Sequence, residues 1–312
     1  MKSFLLKMGL FLAALTATMC IIVFALPDPV GKYSYLQELN AKESRLKELT
    51  GAKIVLVGGS NLAYGVDSAK VETAFGCSVV NMGLHAGLGL RYHLLSVVPH
   101  VHRGDIVVVV PEYSQFEGSL SYGNEALVEA ICDLSLSRIR VLQVDGILHF
   151  LELLPSYSAH KLLKILCFWK WHLYAENQST LVFNEQGDMI WHWTQSKQHR
   201  ISPVKLDARN INQADIRFFS SAIRQLKERG AVVAILPPCY NLASFELGSD
   251  YICRLGQFLE EHGTSFGADP RRYCYNEEYM FDSNYHLTYA GLTNRTDKLV
   301  ADLLSMKEIL AR

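Results

Sequence analysis

Apolar and polar positions along the chain fall into three regimes. The first is a single long apolar run, Met8 to Leu26, with Lys2 and Lys7 before it. It approaches the roughly 20 residues a bilayer-crossing helix needs and exceeds the roughly 7–15-residue core of a cleaved signal peptide. No small-x-small exit follows Phe24. The run therefore predicts an uncleaved signal anchor over residues 1–26. Lysines ahead of the span place the N-terminus in the cytoplasm and the remainder outside, so the expected location is a single-pass membrane protein facing the periplasm or the extracellular side. Pro27, Pro29 and Gly31 end the run, and Leu36, Leu39, Leu46 and Leu49 then recur at helical spacing, predicting a stalk over residues 27–50.

The second regime alternates short β-branched runs with helical patterns. Strands are expected at Lys53–Val57, Ser78–Asn81, Asp105–Val110 and Ala231–Leu236. Helices are expected at Ser68–Phe75, Leu88–Val98, Gln213–Arg229 and about Phe245–His262, with a last one from about Thr288 to Leu310. Strands that are apolar throughout and separated by helices argue for a parallel sheet covered on both faces. The third regime, residues 120–212, breaks that rhythm. Val144–Tyr174 has a long helical pattern, and Thr180–Trp193 reads as two strand segments around Gly187-Asp188, a hairpin. The expectation is one domain over residues 51–312 with this region as an inserted helical and hairpin cap. Trp169, Trp171, Trp191 and Trp193 there either pack the core or line a sugar groove.

Composition narrows the classes. A net charge of −1 and no basic run with interleaved aromatics argue against nucleic acid as a partner. The seven cysteines form no CxxC or Cys/His ligand spacing, so no metal site is expected, and buried free thiols are the expected state of most of them.

Candidate chemistry lies at strand ends. Ser60 follows Gly58-Gly59 at the end of the first strand, where an open α/β sheet binds its ligands. Asp282 and His286 precede the final helix, and a serine nucleophile needs a base that is itself oriented. Glu112 follows a wholly apolar strand, where a buried acid must be paired or protonated. Three roles are open to it: positioning His286, binding substrate, or bonding to backbone amides.

Gly58-Gly59-Ser60 with Gly65, then Asn81-x-Gly83 with Gly87, then Asp282 and His286, resemble the ordered blocks of the SGNH (GDSL-like) hydrolase superfamily. More narrowly they resemble its membrane-anchored cell-envelope branch, which includes alginate-type O-acetyltransferases and the D-alanyl-transfer proteins of teichoic acid. The resemblance covers roughly residues 53–110 and 231–310. It implies α/β architecture with a flavodoxin-like doubly wound parallel sheet of SGNH-hydrolase type. The implied activity is serine acyl-ester transfer or hydrolysis on O-acyl groups of an envelope or secreted polysaccharide, with no cofactor. A membrane acyl-donor protein is the implied partner. In that scheme Ser60 attacks, His286 is the base and Asp282 orients it, while the amides of Ser60 and Gly83 hold the oxyanion. Asn61, Asn81, His85 and Glu112 are expected around the substrate. Two departures stand out. Pro111-Glu112-Tyr113 occupies the place of the family's third-block Gly-x-Asn, and three residues rather than two separate Asp282 from His286. Two other readings are a plain esterase or lipase of the same fold and a catalytically silent envelope-assembly protein that binds glycan or a partner.

Overall fold

A computed structural model describes residues 1–29, 31–167, 182–196 and 200–306. Its helices and strands run in the order α1 (Lys2–Cys20), α2 (Glu38–Glu48), β1 (Ile54–Gly58), α3 (Ser60–Ala63), α4 (Ser68–Phe75), β2 (Val79–Asn81), α5 (Leu90–Val97), β3 (Ile106–Val110), α6 (Glu125–Glu129), α7 (Val144–Leu166), α8 (Gln213–Glu228), β4 (Val232–Ile235), β5 (Tyr240–Asn241), α9 (Leu242–Leu247), α10 (Ser249–Glu261), β6 (Cys274–Tyr275) and α11 (Tyr289–Ser305). The chain divides into two compact units. One joins Met1–Gln37 to Asn124–Thr180, and the other joins Glu38–Gly123 to Leu181–Arg312.

The larger unit is built on a sheet of four parallel strands in the order β2-β1-β3-β4. β1 and β3 are buried at every residue, as their unbroken apolar runs require. Alternate side chains serve opposite faces. Val55, Val57, Val107 and Val109 pack with α5, α8 and α10 through residues such as Leu94, Phe219 and Leu255. Ile54, Leu56, Ile106 and Val108 pack on the other face with Val71 of α4 and Leu299 and Leu303 of α11. Helices thus cover both faces. At the start of the two central strands, Lys53 Nζ lies 3.2 Å from Asp105 Oδ2, and the Lys53 amide donates to Asp105 Oδ1. This buried pair sits where β1 and β3 come into register. Because the chain moves outward from β1 to β2 and then crosses back to β3, the connection reverses direction beside the C-terminal end of β1. That is where parallel sheets open a ligand crevice.

Element boundaries follow local chemistry. Asp67 caps α4 by accepting from the Lys70 amide at 3.2 Å. The expected helix at Phe245–His262 is two helices, α9 and α10, parted at Gly248. The inserted region is divided between the units. Its helical part belongs with the N-terminal apolar helix, and the residues from Leu181 belong with the sheet, as does α2. In the expected hairpin, Phe183 and Met189 form an antiparallel bridge around the Gly187-Asp188 turn. Trp169 and Trp171 lie outside the described residues. All seven cysteines are free thiols, but against the expectation only Cys239 is buried, Cys20 and Cys253 being exposed and the other four half-buried.

In the smaller unit, α1 continues through a π-helical turn to Ala25. This segment is long and apolar enough to cross a membrane.

Candidate functional site

β1 ends at Gly58, and the chain turns at Gly59 directly into α3, whose first residue is Ser60. A Cβ at Gly59 would stand 2.5 Å from Glu112 Oε1 and 3.2 Å from the Ala86 Cα, so glycine lets that carboxylate lie against the turn. The half-buried Ser60 donates its hydroxyl to Glu112 Oε1 at 3.3 Å. The same oxygen accepts from the Asn61 amide at 3.1 Å and from Asn61 Nδ2 at 3.4 Å. Glu112 is 4% exposed. Burial pushes its pKa up, and the Asn61 amide and the charge of His286 act against that rise.

The other half of the site comes from the loop before α11. The Phe281 amide donates to the His286 carbonyl at 2.8 Å, and Met280 bridges Leu287. This tight closure takes up the three residues between Asp282 and His286 and returns the carboxylate to the ring. His286 Nδ1 lies 2.6 Å from Asp282 Oδ1. A carboxylate acceptor assigns the hydrogen to Nδ1, which leaves Nε2 as a lone pair when the ring is neutral.

Several contacts bring the two halves to one corner. The Tyr64 ring stacks on His286 with centroids 4.0 Å apart and planes at 6°, and the Tyr64 amide donates to the Ser60 carbonyl at 2.9 Å. Cys239, just beyond β4, donates to the Tyr285 carbonyl at 2.9 Å and reaches the Asn61 carbonyl at 3.9 Å. The Ser114 amide donates to the Tyr285 hydroxyl at 3.4 Å. Loops following β1, β3 and β4 therefore meet the Asp282–His286 loop at the C-terminal edge of the sheet.

The remaining expected residues are placed as follows. Asn61 is fully buried; its Nδ2 also reaches the Val110 carbonyl at 3.2 Å. Asn81 is fully buried as well, and donates from Nδ2 to the Leu62 carbonyl at 3.1 Å and to Asp188 Oδ1 at 2.7 Å. Its Oδ1 accepts the Gly83 amide at 3.0 Å, so that amide is already engaged. His85 is half-buried, and its Nδ1 accepts from the Gly87 amide at 2.9 Å. Burial, then the charge of His286, lowers the His85 pKa.

Three residues at the site escaped the sequence reading. Arg295 of α11 is fully buried and donates to the Asn61 carbonyl and, at 3.0 Å, to Asn61 Oδ1. A Cβ at Gly65 would stand 2.2 Å from Arg295 Nη1, so Gly65 serves close approach of the guanidinium. The available signal was an arginine on the face of α11 marked by Leu292, Leu299 and Leu303. His192 is fully buried, donates from Nε2 to the Tyr64 carbonyl at 3.2 Å and lies against Phe281. Burial, then His286, lowers its pKa to about 4. Tyr64, the stacking partner, carried no signal beyond its place four residues after Ser60. Trp191 meets Phe281 edge-on, and Trp193 meets Tyr289.

Comparison with protein-family models and with curated proteins gave no match for this chain.

Proposed function

We propose that this chain is a serine acyl-ester transferase or esterase of SGNH type, anchored in a membrane by α1 and acting outside the cytoplasm on O-acyl groups of an envelope or secreted polysaccharide. The observation that carries the chemistry is the His286–Asp282 pair at 2.6 Å, at the same sheet edge as Ser60. Ser60 Oγ attacks the acyl carbonyl and its proton passes to His286 Nε2, the nitrogen left free by Asp282. The carbon–oxygen bond to the leaving alcohol breaks, and that alkoxide takes the proton from His286. A sugar hydroxyl or water then attacks the acyl carbon while His286 Nε2 takes its proton, the bond to Ser60 Oγ breaks, and His286 returns that proton to Ser60. The hydroxyl must first turn from Glu112 toward His286. The Ser60 amide is the proposed oxyanion donor, and a second would have to come from Gly83 after release from Asn81. Loss of one such donor costs about 3–4 kcal/mol in known cases. The strand order 2-1-3-4, with helices on both faces, supports the flavodoxin-like part of the reading. The polysaccharide substrate and a membrane acyl-donor partner rest on the family resemblance.

The engaged Ser60 hydroxyl and Gly83 amide favour a second reading, a silent binding protein. Turnover of an activated acetyl ester by the full chain in detergent separates the two. The proposal expects turnover that falls severely in Asp282→Asn, up to about 10⁴-fold as in the best-studied triad, with little change in KM. Wild-type turnover no higher than that of Ser60→Ala would favour the silent protein. Adding a sugar acceptor should divert the acyl group from free acid if the enzyme is a transferase, and leave acid release unchanged if it is an esterase.

A further inference from the structure

α7 presents an apolar stripe to solvent along its whole length. Val144, Leu148, Leu151, Leu163 and Leu166 are all more than half exposed, and exposed Pro155 and Ala159 continue the line between them. Steps of three or four residues place these positions within an arc of about 120° on an ideal helix. The opposite face holds Phe150, Leu154, Tyr157 and Lys161, which are buried. A helix of this kind covers a core with one face and should show water a polar one. Here most of the second face is apolar too, with exposed Asp145 and Glu152 toward one edge of the arc, and among the described residues it stays open to solvent.

The same unit shows what covers that face. α7 packs on the last turns of the apolar N-terminal helix, where Ile22 and Val23 are buried although no residue of Lys2–Cys20 is. Lys161 Nζ donates to the Val23 carbonyl at 3.0 Å and is paired with Asp133. Lys164 Nζ meets Asp28 Oδ2 at 3.0 Å, just past the end of that helix. The two lysines of α7 are therefore neutralised inside the unit. Val23 lies two residues before the end of that helical segment and four before Pro27, so α7 meets the apolar run where it ends, the level at which an interfacial helix lies. Asp145, Glu152, Lys161 and Lys164 make α7 too charged to cross a bilayer itself.

We infer that α7 is a membrane-interfacial helix, its exposed stripe seated in the lipid at the level where α1 leaves the bilayer. This rests on the reading of α1 as a membrane span. The full chain would be reconstituted into vesicles of phosphatidylethanolamine with a minority of phosphatidylglycerol, doped with a phospholipid carrying an acyl-chain diazirine. After irradiation, adducts are mapped by peptide mass spectrometry. Lipid adducts should fall on α1 and on the α7 stripe, several-fold above those on α2 of the sheet unit. The triple variant Leu148→Glu, Leu151→Glu, Leu163→Glu should lose the α7 adducts and keep those on α1, with an unchanged thermal melt. Adducts on α1 with α7 at the α2 background would overturn the inference and leave the span intact. Crosslinks from α7 to a second copy in place of lipid would also overturn it. Absence of adducts on α1 would overturn the span reading and this one with it.

Discussion

One oxygen of Glu112 accepts from the Ser60 hydroxyl and from two nitrogens of Asn61. Burial nevertheless dominates and raises its pKa above the usual 4.5. The folded protein thus holds this proton more tightly than the unfolded chain does. The associated stability is fully present below the ordinary carboxylate range and is lost as pH rises through the raised folded value. Glu112→Gln cannot titrate. The stability of wild type minus that of Glu112→Gln, measured by denaturant unfolding in detergent, should fall as pH climbs from about 4.5. A difference that stays flat or rises across that window contradicts the account. Arg295 acts behind the same residue, because its guanidinium holds both the carbonyl and the side chain of Asn61. Arg295→Met leaves Asn61 Oδ1 buried without its donor and the Asn61 carbonyl with only the long Cys239 contact, and should destabilise by about 2–3 kcal/mol, read from the same unfolding curves. Ser60, Asp282 and His286 could be singled out in the sequence because a serine directly after a glycine turn and an Asp/His pair just before a helix start are local patterns. Arg295 and His192 were not, because each acts through a backbone carbonyl 128 or more positions away in the chain, and no local pattern records such a contact.

The four strands of the main sheet were legible almost to the residue, because a fully buried parallel strand is an uninterrupted apolar run and β1 and β3 are buried throughout, whereas the two-residue pair β5 and β6 was not. The helix break at Gly248 and the division of the inserted region were not, since both depend on which surfaces meet rather than on local spacing. The turn around Gly187-Asp188 shows how such a segment is tied down. Asp188 accepts from the Ser68 amide at 2.7 Å, the Ser68 hydroxyl at 2.6 Å, Asn81 Nδ2 at 2.7 Å and Asn184 Nδ2 at 3.0 Å. It thereby joins the start of α4 to the end of β2. Asp188→Ala should strand the buried Ser68 amide and hydroxyl and leave Asn81 Nδ2 with the Leu62 carbonyl alone, destabilising by about 3 kcal/mol or more, seen as a lowered denaturation midpoint. A midpoint within experimental error of wild type would show that the turn is held by other contacts.

For the molecule as a whole, the proposed topology and chemistry make separate demands. Lys2 and Lys7 stand at the start of α1, ahead of its uninterrupted apolar run, so a reporter active only outside the cytoplasm, fused after Arg312, should be active, whereas a reporter active only inside should be silent. The reverse pattern would remove the envelope substrate from reach. The chemistry has a more direct test. An activated serine beside an oriented imidazole reacts covalently with a fluorophosphonate, and an ordinary surface serine does not. Full-length protein treated with a fluorophosphonate probe should carry a single adduct, mapped by mass spectrometry to Ser60. Labelling should be lost in Ser60→Ala and strongly slowed in His286→Ala, with the fold retained in both. An adduct on another residue, or wild-type labelling no faster than that of His286→Ala, would contradict the claim that Ser60 is the nucleophile and His286 its base.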